Sequence, residues 1–301
     1  MPRVAEYIRL IRPQQWIKNF FVFGPLIFSK ELFDSGPFLI ELKAFIAFCL
    51  TASAVYIIND IADVEADRTH PEKKNRPLAA RTMPVSHAYA LVFLLLTCLI
   101  MLLNGMDARF VLVLAGYFVM NVAYSLKLKE VVLLDVFIIA AGFMLRVLGG
   151  AYAIDVAVSS WLVLCTMFIS LFLGFAKRRS ELVMNQESGG TFERKVLSLY
   201  SVSFIDHMLT IAAAGTVISY ALYTVAQRTI EIFGTEKMIY TTVFVIFGVF
   251  RYLYLVHMTG STQNPTKAVT SDLTILATGL LWIISCIILI YTGSKAGFLA
   301  Q

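Results

Sequence analysis

The 301-residue chain is 58% hydrophobic and only 15% charged, with a mean hydropathy of +0.76, whereas a soluble domain carries about 25% charged residues. A water-soluble core is excluded, and the composition is that of a polytopic membrane protein embedded in a lipid bilayer. The net charge of +5 follows from an uneven split of Lys and Arg across the membrane and does not point to nucleic acid.

A transmembrane helix needs about 20 mostly apolar residues. Nine segments qualify in chain order: 15–33, 38–61, 86–104, 109–127, 131–152, 158–177, 199–227, 238–257 and 271–293. The first is the weakest, because Lys18, Asn19, Gly24 and Pro25 interrupt it. The expected architecture is therefore all-α, a single transmembrane domain over 1–301. Its longest polar connections are 62–85 and 178–198, and connections of that length in a bundle tend to carry function.

Seventeen of the 25 Lys and Arg fall on the side of the N-terminus and of the loops that follow even-numbered spans; six fall on the other side. Arg146 and Arg251 lie within spans. The positive-inside rule puts the N-terminus and both long connections in the cytoplasm. No cleavable signal peptide is expected, since a charged arm precedes the first apolar stretch and no small-residue cleavage pattern follows it. Cys49, Cys98, Cys165 and Cys286 are scattered singly through apolar segments, with neither disulfide nor metal spacing.

The first span opens on Arg12-Pro13-Gln14-Gln15-Trp16-Ile17-Lys18-Asn19. Trp16 and Lys18 suit an interfacial anchor. The second reading is that Gln15, Lys18 and Asn19 form the polar wall of a site, since these amide and ammonium groups crowd into two turns.

The second span runs into Asn59-Asp60-Ile61-Ala62-Asp63-Val64-Glu65-Ala66-Asp67-Arg68, and this is the most informative segment of the chain. At helical spacing Asn59, Asp63 and Asp67 share a face, with Asp60 beside them. Carboxylates stacked on one stripe repel unless a cation sits between them. Oxygen-rich clusters of this kind suit Mg²⁺, which completes its shell with water and substrate phosphates. Arg68, Lys73, Lys74 and Arg76 follow and are natural partners of a polyphosphate. Metal-binding carboxylates followed by phosphate-binding cations, at the mouth of a membrane helix, describe a pyrophosphate site. His70 has no second His or Cys at ligand spacing, so zinc is not expected.

The fourth span ends on Tyr124, Lys127 and Lys129, and the fifth begins with Asp135. Arg146 lies eleven residues on, about three turns away on the same face. An Arg at that depth faces protein or a polar cavity; a buried pair with Asp and a substrate contact both satisfy that requirement. The sixth span ends in Lys177-Arg178-Arg179-Ser180-Glu181-Leu182 with no loop residues. Either this is positive-inside punctuation, or Lys177 and Arg178, with Glu181 beside them, grip a lipid phosphate. Asp206, His207, Arg251, His257 and Asp272 stand alone in the sequence and are read mostly as structural.

Asn-Asp-x-x-Asp-x-x-x-Asp-Arg at the end of a second membrane helix, continued by His70-Pro71-x-Lys73-x-x-Arg76-Pro77-Leu78-Ala79, resembles the UbiA superfamily of intramembrane prenyltransferases. The likeness in layout covers nearly the whole chain. It implies that Asn59, Asp60, Asp63 and Asp67 hold Mg²⁺ on a pyrophosphate, with Asp60, Asp63 and Asp67 as metal ligands. Common members carry a second aspartate-rich motif after the sixth helix, where this chain has Lys177-Arg178-Arg179-Ser180-Glu181-Leu182. That departure, with the Arg12 to Asn19 motif, resembles the branch that moves 5-phosphoribose from phosphoribosyl pyrophosphate (PRPP) to polyprenyl (decaprenyl) phosphate, on the way to a lipid-linked arabinofuranose donor for cell-wall polysaccharide. By that resemblance Arg68, Lys73 and Arg76 hold diphosphate or the ribose 5-phosphate, and Lys177 and Arg178 hold the lipid phosphate, with the two phosphate assignments exchangeable. The protein is expected in the plasma membrane, and an oligomer is compatible with the sequence.

Two rivals stand beside this reading. A prenyltransferase joining a prenyl diphosphate to an aromatic acceptor would use the same first motif and a second acidic cluster, which the sequence lacks. A transporter would concentrate polar residues in broken helices at mid-membrane, whereas here they crowd at the cytoplasmic ends.

Overall fold

A computed structural model describes residues 3–69, 73–187, 195–258 and 271–296. Among these the secondary structure is helical, with no strand. We number the α-helices in chain order: α1 Val4–Ile11, α2 Gly24–Phe28, α3 Ser35–Ala62, α4 Val64–Thr69, α5 Val85–Leu103, α6 Ala108–Leu126, α7 Leu134–Ala153, α8 Ser160–Glu187, α9 Val202–Val225, α10 Gln227–Phe233, α11 Thr242–Met258 and α12 Leu273–Ala296.

Eight helical segments among the described residues are long and apolar enough to cross a membrane, one fewer than the nine expected. The missing one is 15–33. Residues Pro13–Phe23 wind as a 3₁₀ helix and only Gly24–Phe28 become α-helical. Proline at the start, the polar residues Gln14, Gln15, Lys18 and Asn19, and the Gly24-Pro25 pair deny this stretch a continuous α-helical hydrogen-bond ladder. The other eight segments agree with expectation to within a few residues, apart from the C-terminal end of α8. That helix continues to Glu187, so the connection expected over 178–198 is helical for its first ten residues. Residues 188–194 of that connection, and His70 to Glu72 of the other, lie outside the described residues.

By internal contacts the chain divides into two units: Met1–Leu26 with Glu31–Lys129 and Leu145–Ala157, and Ile27–Lys30 with Glu130–Met144 and Val158–Gln301. In the first, α3 is the central element. It packs against α5, α6, α1 and the 3₁₀ stretch, and more than half of its apolar window is buried. Phe48, Phe110, Leu114 and Tyr117 form its core, with Phe48 edge-on to both Phe110 and Tyr117. Gly149 and Gly150 of α7 let two neighbours come close. A Cβ on Gly149 would meet the Phe48 ring at 2.7 Å, and one on Gly150 would meet the Val22 carbonyl oxygen at 2.1 Å. Such close approach on small residues is the usual way membrane helices associate.

In the second unit α8 packs along α9, around a core of Phe172, Ile205, Leu209, Val249 and Tyr252. The last helix is mostly uncovered: Leu273, Leu276, Leu280, Leu281 and Ile288 are exposed. In water such a face would be an aggregation site, whereas in a bilayer it meets acyl chains. The protein is an integral membrane protein.

Candidate active site

The acidic segment sits where the long α3 ends. Asp63 is its C-terminal cap, at φ −94° and ψ 7°, and α4 restarts at Val64. Hydrogen bonds from Asp63 N to Asn59 O (2.9 Å) and from Asp67 N to Asp63 O (2.8 Å) carry the i to i−4 pattern across this break. Asn59, Asp63 and Asp67 thus follow one another at single-turn intervals, as their spacing predicts. The side chains nevertheless divide into two groups. Asp60 and Asp67 are buried, at 2% and 4% exposure, and share one cation: Arg76 Nη1 lies 3.0 Å from Asp60 Oδ1 and 2.6 Å from Asp67 Oδ2. Arg12 Nη2 reaches the same Asp60 oxygen at 2.5 Å. Asp63 turns instead to Lys129, whose Nζ lies 2.9 Å and 3.0 Å from its two oxygens.

Burial makes these pairings consequential. A carboxylate removed from water without a partner costs several kcal/mol, and the two guanidiniums offset that cost for Asp60 and Asp67. Arg12 owes its position to the break between α1 and the 3₁₀ helix. It adopts the left-handed conformation there (φ 57°), just ahead of Pro13, and its guanidinium lies over the Tyr56 ring at 5.2 Å.

A second group lies deeper in the same unit. Arg146, 5% exposed, donates from Nε to Asn19 Oδ1 and from Nη2 to the Tyr117 hydroxyl, both at 2.7 Å, and lies over the Tyr117 ring. Asn19 in turn donates to Cys49 Sγ. Trp16 donates to the Ser53 hydroxyl, which is bonded to the Ile11 carbonyl; the 3₁₀ stretch is thereby stitched to α3. Lys18 is half-buried on that stretch. Burial, and then the Arg146 and Arg12 charges, lower its ammonium to about 8. Arg12, Lys18 and Arg146 are thus close enough to sense one another, an arrangement that favours an anion among them.

In the second unit, Arg178 is 1% exposed and Asp135 fully buried. Arg178 Nε lies 2.6 Å from Asp135 Oδ2 and its Nη1 is bonded to Glu181. The Tyr200 hydroxyl donates to Asp135 Oδ1 at 2.8 Å and accepts from the Leu133 amide at 2.6 Å. Burial, then the Asp135 carboxylate, hold this phenol above its ordinary range. Asp135 pairs with Arg178 of the next helix, a buried Asp–Arg pair across helices of the kind weighed for this region, while Arg146 bonds Asn19 and Tyr117. One expectation changes here: Arg178, buried between two carboxylates, is not placed to grip a lipid phosphate, and the adjacent Lys177 is 40% exposed beside Glu181.

The remaining expected residues are dispersed. Arg68 pairs with Glu65 on α4. Lys73 sits in the 3₁₀ turn Lys73–Asn75. Gln15 and Tyr124 are half-buried, and Lys127 is the exposed cap of α6. Asp206, Arg251, His257 and Asp272 are not isolated: Arg179 and His257 both face Asp206, and Arg251 binds Asp272. Sequence reasoning missed Arg12 as a site residue, although an Arg-Pro step ahead of a polar 3₁₀ stretch was a visible signal. Tyr56, Tyr117 and Tyr200 gave none, being aromatic residues in apolar segments.

The donor set fits Mg²⁺ in reduced form. Among the described residues no three acidic, His or Cys side chains are gathered closely enough to hold an ion, so the trio Asp60, Asp63 and Asp67 does not converge. Asp60 and Asp67 do converge, because one cationic nitrogen already stands within 3.0 Å of an oxygen from each. Two carboxylates, with the other positions left to water and phosphate, are the ligands Mg²⁺ ordinarily takes.

An all-helical membrane fold with buried carboxylates and guanidiniums gathered at the end of one spanning helix defines a membrane-embedded transferase. The profile of the UbiA prenyltransferase family matches residues 20–180, and the chain belongs to that family. A decaprenyl-phosphate phosphoribosyltransferase of Corynebacterium glutamicum is 32% identical over 290 residues, 94% of this chain and 86% of that one. One of Mycolicibacterium smegmatis is 37% identical over 224 residues, 73% and 70% of the two chains. Among solved structures, a UbiA homolog from Archaeoglobus fulgidus bound to GPP and Mg²⁺ superposes with a TM-score of 0.71, covering 96% of this chain and 99% of that one at 18% identity. This last similarity establishes the fold.

Proposed function

We propose that the protein transfers 5-phosphoribose from PRPP to a polyprenyl phosphate of the decaprenyl type, releasing pyrophosphate, as an early step towards a lipid-linked arabinofuranose donor for cell-wall arabinogalactan. The observation that carries this reading is the mixed cluster in which Asp60 and Asp67 hold Arg12 and Arg76. Carboxylates for a metal and guanidiniums for phosphate stand in direct contact, ready to exchange partners when a magnesium diphosphate arrives. The relatives named decaprenyl-phosphate phosphoribosyltransferase support transfer of a phosphoribosyl group to a polyprenyl phosphate.

A phosphate oxygen of the lipid attacks C1 of the ribose, and the bond from C1 to the pyrophosphate oxygen breaks. The attacking oxygen is already anionic, so no general base is needed. Mg²⁺ on Asp60 and Asp67 would supply charge neutralisation to the leaving pyrophosphate. Arg76, with Arg68 and Lys73 nearby in sequence, binds its oxygens; preorganised cations of this kind stabilise charge where it develops. Arg12, Lys18 and Arg146 face the other anionic part of the donor, while Asn19 fixes the Arg146 guanidinium and Gln15 completes the polar wall. The Asn59 carbonyl accepts the Asp63 amide where α3 ends, which leaves the Asn59 side chain to a substrate oxygen, and Lys129 fixes Asp63. Tyr124 and Lys127 lie at the rim. Lys177 binds the lipid phosphate, and Glu181 orients Lys177. The site opens to the cytoplasm, the side from which soluble PRPP comes, and the membrane is the plasma membrane.

The rival prenyl transfer to an aromatic acceptor calls for a second acidic cluster free to bind metal. Asp135 and Glu181 are instead occupied by Arg178. One assay separates the two. Purified protein with Mg²⁺ and labelled PRPP is expected to label polyprenyl phosphates. If it ignored PRPP and transferred a prenyl group from a prenyl diphosphate to an aromatic acid, the phosphoribosyl reading would be wrong.

A further inference from the structure

Among the described residues of the first unit, Glu41 is the one acidic side chain that lies fully buried and yet has no hydrogen-bond partner. It is the seventh residue of α3, nineteen residues before Asp60 and so roughly 28 Å away along the helix. Its exposure is 0%, and neither Oε1 nor Oε2 has a hydrogen-bond partner. Glu31 Oε2 is likewise buried without a hydrogen bond, and the Glu31 carboxylate lies close enough to act on Glu41 electrostatically. Lys43, two residues on, is spent on the Asn104 carbonyl at 2.7 Å.

The surroundings are shaped for oxygen. The point that a Cβ on Gly150 would occupy lies 2.1 Å from the Val22 carbonyl oxygen and 2.6 Å from Glu41 Oε1, so a bare Cα is what lets these two oxygens draw together. The Glu41 carboxylate and the Val22 carbonyl converge on that point, and the Glu31 carboxylate is near enough to repel Glu41. An ionised carboxylate in such a place is expensive without a cation.

We propose that Glu41, Glu31 and the Val22 carbonyl form a binding site for a hard divalent cation of the calcium type, separate from the Asp60–Asp67 cluster. Two carboxylates balance its charge. A flexible shell of carboxylate, carbonyl and water oxygens is what Ca²⁺ accepts, whereas Mg²⁺ demands a regular octahedron. Bound there, the ion ties the 3₁₀ stretch that carries Lys18 and Asn19 to α3 and to α7.

The test is equilibrium binding of radioactive Ca²⁺ to the full-length, detergent-purified protein, read as ions bound per chain, with thermal unfolding alongside. Wild-type protein is expected to bind one more Ca²⁺ per chain than Glu41→Gln, and to unfold at a temperature that rises and saturates with Ca²⁺. Glu31→Gln, altered at the less buried partner, is expected to weaken that ion tenfold or more, which keeps the test open if Glu41→Gln fails to fold. Equal Ca²⁺ stoichiometry in wild type and Glu41→Gln, or undiminished affinity in Glu31→Gln, would overturn the site and leave Glu41 a neutral acid.

Discussion

Replacing Arg76 by Ala removes the cation that Asp60 and Asp67 share, and the outcome should carry opposite signs for metal and for phosphate. In the structure one nitrogen, Nη1, serves both carboxylates at 3.0 and 2.6 Å. A hydrogen bond to a charged group is worth about 1.5–3 kcal/mol. The two bonds are not additive, because they share a donor and because the Arg76 side chain is 25% exposed. A net loss of about 2–3 kcal/mol is therefore reasonable. A free divalent ion no longer has to displace a guanidinium, so its affinity should rise by the same amount, roughly one to two orders of magnitude. Pyrophosphate loses a ligand and should bind more weakly by a similar factor. Mn²⁺ paramagnetic resonance on the detergent-purified protein measures the first quantity, and competition by inorganic pyrophosphate measures the second. Arg76→Lys keeps the charge and should fall between. If Arg76→Ala weakened Mn²⁺ and pyrophosphate together, Arg76 would be a plain structural support and the exchange of partners would be refuted.

Four further outcomes are expected. Asp60→Asn and Asp67→Asn, at the two carboxylates that converge on Arg76, should each abolish turnover in protein that still inserts, and EDTA should do the same reversibly; wild-type activity in either variant would end the magnesium hypothesis. A single cysteine introduced at position 73 should react only from the cytoplasmic side and one at position 155 only from the outside, and the reverse would put the site where PRPP is absent. The Lys18 ammonium, lowered to about 8 by burial and by Arg146 and Arg12, holds phosphate only while protonated, so KM for PRPP should climb as pH rises through about 8; Lys18→Arg, charged throughout, should flatten that rise, and an unchanged profile would remove Lys18 from the site. Lys177→Ala should raise KM for polyprenyl phosphate by roughly one to two orders of magnitude, the loss of a charge-assisted contact of about 1.5–3 kcal/mol, while Arg178→Ala should chiefly destabilise, by about 3–5 kcal/mol for breaking a buried pair; a selective loss of PRPP binding in Lys177→Ala would exchange the two phosphate assignments.

The contrast between Lys177 and Arg178 shows where a one-dimensional reading stops. Eight spans were legible because length and apolar composition suffice to specify a membrane helix. The acidic stripe was legible because Asn59, Asp63 and Asp67 keep helical spacing even across the cap at Asp63. What the stripe could not reveal is which carboxylate meets which cation. Arg12 and Arg76 lie 48 and 16 residues from Asp60, and Lys129 lies 66 residues from Asp63, so the partners are chosen by the packing of separate elements. At the end of α8 the difficulty is sharper. Lys177 and Arg178 are adjacent and both basic, yet a rotation of one residue, about 100° around the helix, sends one towards solvent and the other into the core, where Asp135 and Glu181 wait. Nothing in the local sequence distinguishes an arginine that binds a phosphate from one that is spent as the counter-ion of two carboxylates. Only Asp135, 43 positions earlier, makes that distinction, through a contact that α7 and α8 must first fold to create.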